Sequence, residues 1–195
     1  MHEVFGTMSP SVLILLANGF EEIEATAPID LLRRAGARVT TVSCSGSLEI
    51  TGRSDITIRA DSLLTELENT ASFHLLVLPG GPAVFSLRKR QEIIDIIRNF
   101  SASGQPIGAI CAAPLLLLDS GLISPETICT GHESVRDEIP QLSDSRAVVQ
   151  DGQIITSRGA GTAVEFGLAL IHRLFGEEKE QEIRSSIHAD LSVSI

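Results

Sequence analysis

Cysteine, glutamate and histidine stand in three separate stretches of this chain, each just beyond an apolar run. In Gln105-Pro106-Ile107-Gly108-Ala109-Ile110-Cys111-Ala112-Ala113-Pro114-Leu115 the run ends at Cys111, and Pro114 falls in the first turn of the next segment, where a helix tolerates proline. The pattern predicts a strand, an elbow and a helix, with Cys111 at the elbow. A thiol there stands at the carboxyl edge of a sheet, and a helix N-terminus favours its nucleophilic thiolate form. A cysteine in an apolar run is more often a small buried hydrophobe, but the elbow argues for chemistry. Small neighbours, Gly108, Ala112 and Ala113, leave room for a substrate.

Leu78-Pro79-Gly80-Gly81-Pro82 follows another apolar run. Gly80 and Gly81 permit backbone geometry that turns N–H groups towards a ligand, as oxyanion or substrate donors, where a plain glycine turn is the alternative. The first loop, Asn18-Gly19-Phe20-Glu21-Glu22-Ile23-Glu24, carries three acids, a usual feature of a solvated first helical turn. Glu24 differs because Pro28, four residues on, cannot donate to its carbonyl and would kink a helix there. Beside a thiolate, like charge and burial would raise its pKa and keep it protonated, able to donate to sulfur or shuttle a proton. His132, in Thr130-Gly131-His132-Glu133, is the best-placed histidine, since His74 falls inside a predicted strand and His172 and His188 in terminal helices.

Short apolar runs alternating with helical patterns predict βαβ units and a parallel sheet covered on both faces. Strands are expected at Val12–Ala17, Arg38–Cys44, Phe73–Leu78, Pro106–Ile110, Thr127–Thr130 and Ile154–Thr156. Helices are expected at Ala27–Ala35, capped by Gly36, and at Glu92–Phe100, Ala160–Phe175 and Glu177–Leu191. Leu48–Arg59 reads as a hairpin around Gly52-Arg53, and Asp151-Gly152 as a turn between short strands. Residues 1–10 are expected to be a flexible N-terminus, with Met8 an alternative start, and 11–195 a single domain.

Composition narrows the chemistry. The 195 residues include no Trp or Tyr and carry a net charge of −10, which argues against nucleic-acid partners that need stacking platforms and cationic surfaces. Arg88-Lys89-Arg90 reads as a solvated face. No apolar stretch approaches the about 20 residues of a membrane span, and no basic leader precedes Val12–Ala17, so a cytoplasmic protein is expected. Three cysteines without C-x-x-C spacing argue against a disulfide framework and a thiolate zinc site, leaving Cys44 and Cys129 as structural thiols at strand ends. Neither G-x-G-x-x-G nor a P-loop occurs, so neither a cofactor nor a metal is expected.

Taken in order, Ala17-Asn18-Gly19-Phe20-Glu21-Glu22-Ile23-Glu24, Leu32-Arg33-Arg34-Ala35-Gly36, Val77-Leu78-Pro79-Gly80-Gly81, Ala109-Ile110-Cys111-Ala112-Ala113-Pro114 and Thr156-Ser157-Arg158-Gly159-Ala160-Gly161-Thr162 resemble the ThiJ/PfpI superfamily. The likeness is to the branch of the Parkinson-disease-associated protein deglycase and its bacterial relatives. The resemblance implies a flavodoxin-like, doubly wound α/β fold with a nucleophile elbow, and a homodimer with the first helix at its interface. It also implies Cys111 as nucleophile, Glu24 as its carboxyl partner, Gly81 and Ala112 N–H groups facing the sulfur or a substrate oxygen, and a histidine near the cysteine at His132. Ala112 replaces the histidine of the proteolytic branch, and the His-x-Glu pair of class I amidotransferases is missing, so both of those activities are disfavoured. Gly52-Arg53-Ser54 replaces a second cysteine found in relatives, and Arg53 lies within one residue of an arginine that reaches the partner's site in them.

Two functions follow. The first is a cofactor-free glyoxalase or deglycase acting on a small 2-oxoaldehyde or its glycated adducts. The alternative is an oxidative-stress sensor and redox-regulated chaperone that uses the same cysteine.

Overall fold

Three runs without a polar side chain, Val12–Leu16, Leu75–Leu78 and Ile107–Ile110, are buried along their whole length. Only a strand covered on both faces accommodates such a run, so they occupy the centre of a parallel sheet. The computed structural model describes residues 9–189. In chain order the elements are β1 (Ser11–Leu16), α1 (Glu22–Arg34), β2 (Arg38–Ser43), β3 (Glu49–Thr51), β4 (Thr57–Arg59), β5 (Ser62–Leu63), β6 (Leu75–Leu78), α2 (Val84–Leu87), α3 (Gln91–Ala102), β7 (Ile107–Ile110), α4 (Pro114–Asp119), β8 (Val148–Asp151), β9 (Ile154–Ser157), α5 (Ala163–Phe175) and α6 (Glu177–Ser186).

The main sheet runs β5-β2-β1-β6-β7-β9-β8, parallel throughout except for β8 against β9, while β3 and β4 form a separate antiparallel hairpin. From β1 the chain winds outwards to β2 and β5, then crosses back to β6 and winds the other way. The reversal opens a crevice between the carboxyl ends of β1 and β6, where open α/β sheets bind ligands. Helix α1 packs on α5 along one face, and α3 packs on α4 along the other. This is the expected flavodoxin-like α/β architecture.

Several expectations need correction. Helix α1 begins at Glu22, not Ala27, because the Glu21 side chain accepts a hydrogen bond from the Glu24 N–H at 2.8 Å and caps the helix. Pro28 therefore lies inside the helix, whereas Gly36 terminates it at φ +94° as expected. Thr127–Thr130 is not a strand: the Thr127 N–H closes a turn on the Ser124 carbonyl, those of Ile128 and Thr130 go to the side chains of Asp151 and Thr156, and β8 takes the sheet edge beside β9. Ile128, 62% exposed, shows that the apolar pattern there was not a core pattern. Cys129 is fully buried but sits in a loop, and Cys44 is buried just past β2. His74 precedes β6, and His188 follows the end of α6, with Leu191 outside the described residues. The turn expected at Asp151-Gly152 moves by one, since Asp151 pairs with Ile154. Arg88 is no solvated side chain: it grips both oxygens of Asp119 and of Glu138, at 2.7–2.8 Å, and joins α2 to the end of α4. Residues 1–8 lie outside the described region, but the Pro10 carbonyl already accepts from the Arg38 N–H.

The α1–α5 contact fixes where the acids of α1 fall, and it depends on a close approach at Gly167. A Cβ there would meet Leu31 Cδ1 at 2.6 Å. Gly167→Val should destabilise the protein by about 1–3 kcal/mol, the usual cost of overpacking. Denaturant unfolding checks this, and an unchanged midpoint would show that α1 yields without cost.

Candidate active site

The cysteine elbow is a strained piece of backbone held from both sides. Cys111 adopts φ +65°, a left-handed conformation that an L side chain takes only when its surroundings impose it. Its N–H still donates to the Ser157 carbonyl of β9 at 2.9 Å, and its own carbonyl accepts the His132 N–H at 2.8 Å. The sheet thus dictates the residue's entry and the 130–132 loop its exit.

Opposite the sulfur lies Glu24 from the first turn of α1, 1% exposed. Its Oε2 accepts the Gly80 N–H at 2.9 Å. Only glycine fits at position 80, because a Cβ would stand 2.6 Å from that oxygen and 2.7 Å from Cys111 Cβ. The Gly80 N–H is therefore occupied by the carboxyl and not offered to a substrate. The N–H groups of Gly81 and Ala112 face the Cys111 sulfur and partly oppose the rise of its pKa. Glu24, Cys111 and His132 converge on one point: a methyl group on Gly159 would lie 3.7 Å from Glu24 Oε1, 3.8 Å from His132 Cδ2 and 4.0 Å from Cys111 Sγ.

His132 is exposed, and its Nδ1 accepts from the Ser134 N–H at 3.2 Å while pairing with the Ser134 hydroxyl at 2.9 Å. A cavity of about 280 Å³ joins these residues to Glu21, Arg53, Gly81, Pro82, Phe85, Ala112, Ser134 and Ala160. Arg53, which the resemblance left to a partner's site, thus lines the cavity of its own chain. No group of three or more His, Cys, Asp or Glu side chains among the described residues is arranged to hold a metal ion.

The electrostatics bear out the raised pKa expected of Glu24 and overturn the favoured thiolate expected of Cys111. Burial pushes the Glu24 carboxyl up to about 7, reinforced by the charge of Glu21 and opposed by Cys111, Gly80 and Arg53. Burial also raises the Cys111 thiol, to about 12, and the charge of Glu24 and the hydrogen bond to it add to the rise. Helix α4, with six residues, is too short to reverse this. Both shifts have one origin: a carboxyl and a thiol in contact and largely removed from water disfavour two negative charges, and they titrate as a pair.

Sequence reasoning missed two contributors. Glu22, read as a solvated acid, is buried beneath the β3–β4 loop, where it accepts the Ser54 N–H at 2.6 Å. Its side chain fills the space that a Cβ on Gly52 would need, so the Gly52 in Thr51-Gly52-Arg53 was the available signal. Phe85, on the cavity wall, had no sequence signal beyond its position four residues after Gly81.

Fold and site together define a flavodoxin-like α/β protein with a cysteine elbow and a buried carboxyl partner. The sequence model of the DJ-1/PfpI family matches residues 10–173, and the chain belongs to that family. It is 36% identical to Protein dj-1beta of Drosophila melanogaster over 184 residues, 92% of this chain and 97% of that one. It is 33% identical to the glutathione-independent glyoxalase DJR-1.2 of Caenorhabditis elegans over 178 residues, 89% of this chain and 93% of that one. The crystal structure of Drosophila melanogaster DJ-1beta superposes with a TM-score of 0.86 at 36% identity, covering 93% of this chain and 98% of that one. Oxidized Toxoplasma gondii DJ-1 gives 0.86 at 29% identity, covering 92% and 98%.

Glu24 ties stability to pH. Its folded-state pKa of about 7 exceeds the ordinary 4.5, so the neutral form favours the fold. That contribution is complete below pH 4.5 and is lost as pH rises through 7. Relative to Glu24→Gln, the wild type should lose roughly 3 kcal/mol between those limits in denaturant unfolding. A difference that stays constant with pH would contradict a buried, titrating carboxyl.

Proposed function

We propose that Cys111, Glu24 and the surrounding cavity carry out glutathione-independent glyoxalase or deglycase chemistry on a small 2-oxoaldehyde or its adducts. The observation that carries this reading is the convergence of Cys111 Sγ, Glu24 Oε1 and His132 on one point. A nucleophile and a proton carrier facing one reacting carbon is the arrangement that such a reaction needs. The named activity of the nematode relative is of this kind.

The steps follow from the two groups. Ionised Glu24 takes the Cys111 proton as sulfur bonds to the aldehyde carbon, and the carboxylic acid so formed passes that proton to the former aldehyde oxygen, giving a hemithioacetal. The regenerated carboxylate then removes the proton on that carbon, giving an enediolate, and returns it to the neighbouring carbon, while the hydroxyl proton passes from the first oxygen to the second. One carbon is oxidised and its neighbour reduced, so no external redox partner is needed. Water cleaves the resulting thioester, releasing a 2-hydroxy acid and restoring the thiol. Gly81 and Ala112 N–H groups stabilise charge on sulfur as it forms and leaves. His132 keeps Nδ1 on Ser134 and offers Nε2 to the cavity as substrate donor or acceptor.

Oxidation of the same thiol is the second reading, favoured because Cys44 and Cys129 are buried and Cys111 is not. Gly81 and Ala112 N–H groups would serve sulfinate oxygens equally well. Ile23 and Ile56, 53% and 55% exposed on α1 and beside the hairpin, support a homodimer through that face.

Lactate formation from methylglyoxal in amine-free buffer tests the first reading. Cys111→Ala should abolish it, Glu24→Gln should lower kcat by about 100-fold or more, and wild-type kcat/KM should rise to a plateau as pH passes about 7. Turnover surviving Cys111→Ala would sink the proposal. For the second, mass spectrometry after mild peroxide treatment should find two added oxygens on Cys111 and none on the buried thiols.

A further inference from the structure

The cavity is larger than a three-carbon aldehyde requires. Its polar side, Glu21, Glu24 and Arg53, comes from the start of α1 and the hairpin loop, and its apolar side includes Pro82, Phe85 and Ala112. Phe85 is the distinctive member. Its helix neighbours Val84 and Leu87 are buried in the core, which by helix geometry turns the residue between them outwards. The ring is left 47% exposed. Of the large apolar side chains exposed among the described residues, it alone lines the cavity that holds the cysteine.

The ring is also tied to the chemistry. Phe85 N–H donates to the Pro82 carbonyl at 3.2 Å and Val84 N–H to the Gly81 carbonyl at 3.2 Å, within the same turn that presents the Gly81 N–H to Cys111. A substituent on the carbon next to the one bonded to sulfur extends into the cavity that this wall lines. An exposed aromatic face gains most from a flat apolar partner, through excluded water and through ring pairing.

We propose that this site selects 2-oxoaldehydes bearing a flat apolar or aryl substituent on the ketone carbon, with Phe85 as the specificity-determining residue. The proposal rests on the cysteine-dependent glyoxalase reading above.

Initial rates with phenylglyoxal and methylglyoxal, taken before arginine modification accumulates, test it on wild type, Phe85→Ala and Phe85→Leu. The ratio of kcat/KM for the aryl over the methyl substrate should fall about tenfold in Phe85→Ala, the scale set by losing one aromatic partner in a pocket. Phe85→Leu, which keeps bulk without the ring, should fall between. Circular dichroism confirms the fold of each variant, and Phe85 is exposed enough for both to retain it. A ratio unchanged in Phe85→Ala, with methylglyoxal still turned over, overturns this proposal and leaves the glyoxalase reading standing. No turnover of either aldehyde by wild type overturns both.

Discussion

A buried carboxyl and a half-buried thiol set against each other form the constraint around which this molecule is arranged. Glu24 and Cys111 come from opposite sides of the crevice between β1 and β6, and neither is stable as an anion beside the other. The surroundings supply few compensations: one backbone N–H from Gly80 for the carboxyl, two from Gly81 and Ala112 for the sulfur. The pair consequently trades a single proton. Such a thiol loses its proton readily only where a neighbour can receive it.

Supporting that pair requires several elements to agree in position. The Glu21 cap starts α1 early enough to place Glu24 in its first turn, and the Gly167 contact with Leu31 sets the height of the helix on the sheet. Glu22, on the same turn, holds the β3–β4 loop through the Ser54 N–H and so keeps Arg53 beside the cavity. One Glu22 oxygen has no hydrogen-bond partner among the described residues, so the staple is made at some cost in desolvation. Three successive acids that look alike in composition thus cap a helix, staple a hairpin and face the sulfur.

Those acids also show where sequence reasoning reaches and where it stops. The elbow, the glycine pair and Glu24 were legible because each follows an apolar run, and a parallel sheet places such residues along one edge. The end of α1 was legible through Gly36, but its start was not: Pro28 suggested a boundary, while the Glu21 cap is an acid acting through its side chain four residues upstream of the apolar pattern. Thr127–Thr130 has strand composition, yet strand identity depends on a neighbour with free backbone groups, and β8 had already taken that place. The buried state of Glu22 and the clamp at Arg88 arise from partners 32, 31 and 50 residues away in sequence, beyond the reach of local pattern. The raised Cys111 thiol was missed for a related reason, since it depends on burial and on how short α4 proved to be.

The left-handed backbone at Cys111 has an implication for how such a site persists through mutation. Holding a side-chain-bearing residue at φ +65° costs of order 1–3 kcal/mol, most of which glycine at the same position would recover. The cysteine therefore sits where the fold alone would favour its replacement, and a glycine at the same position would give a more stable chain without the thiol.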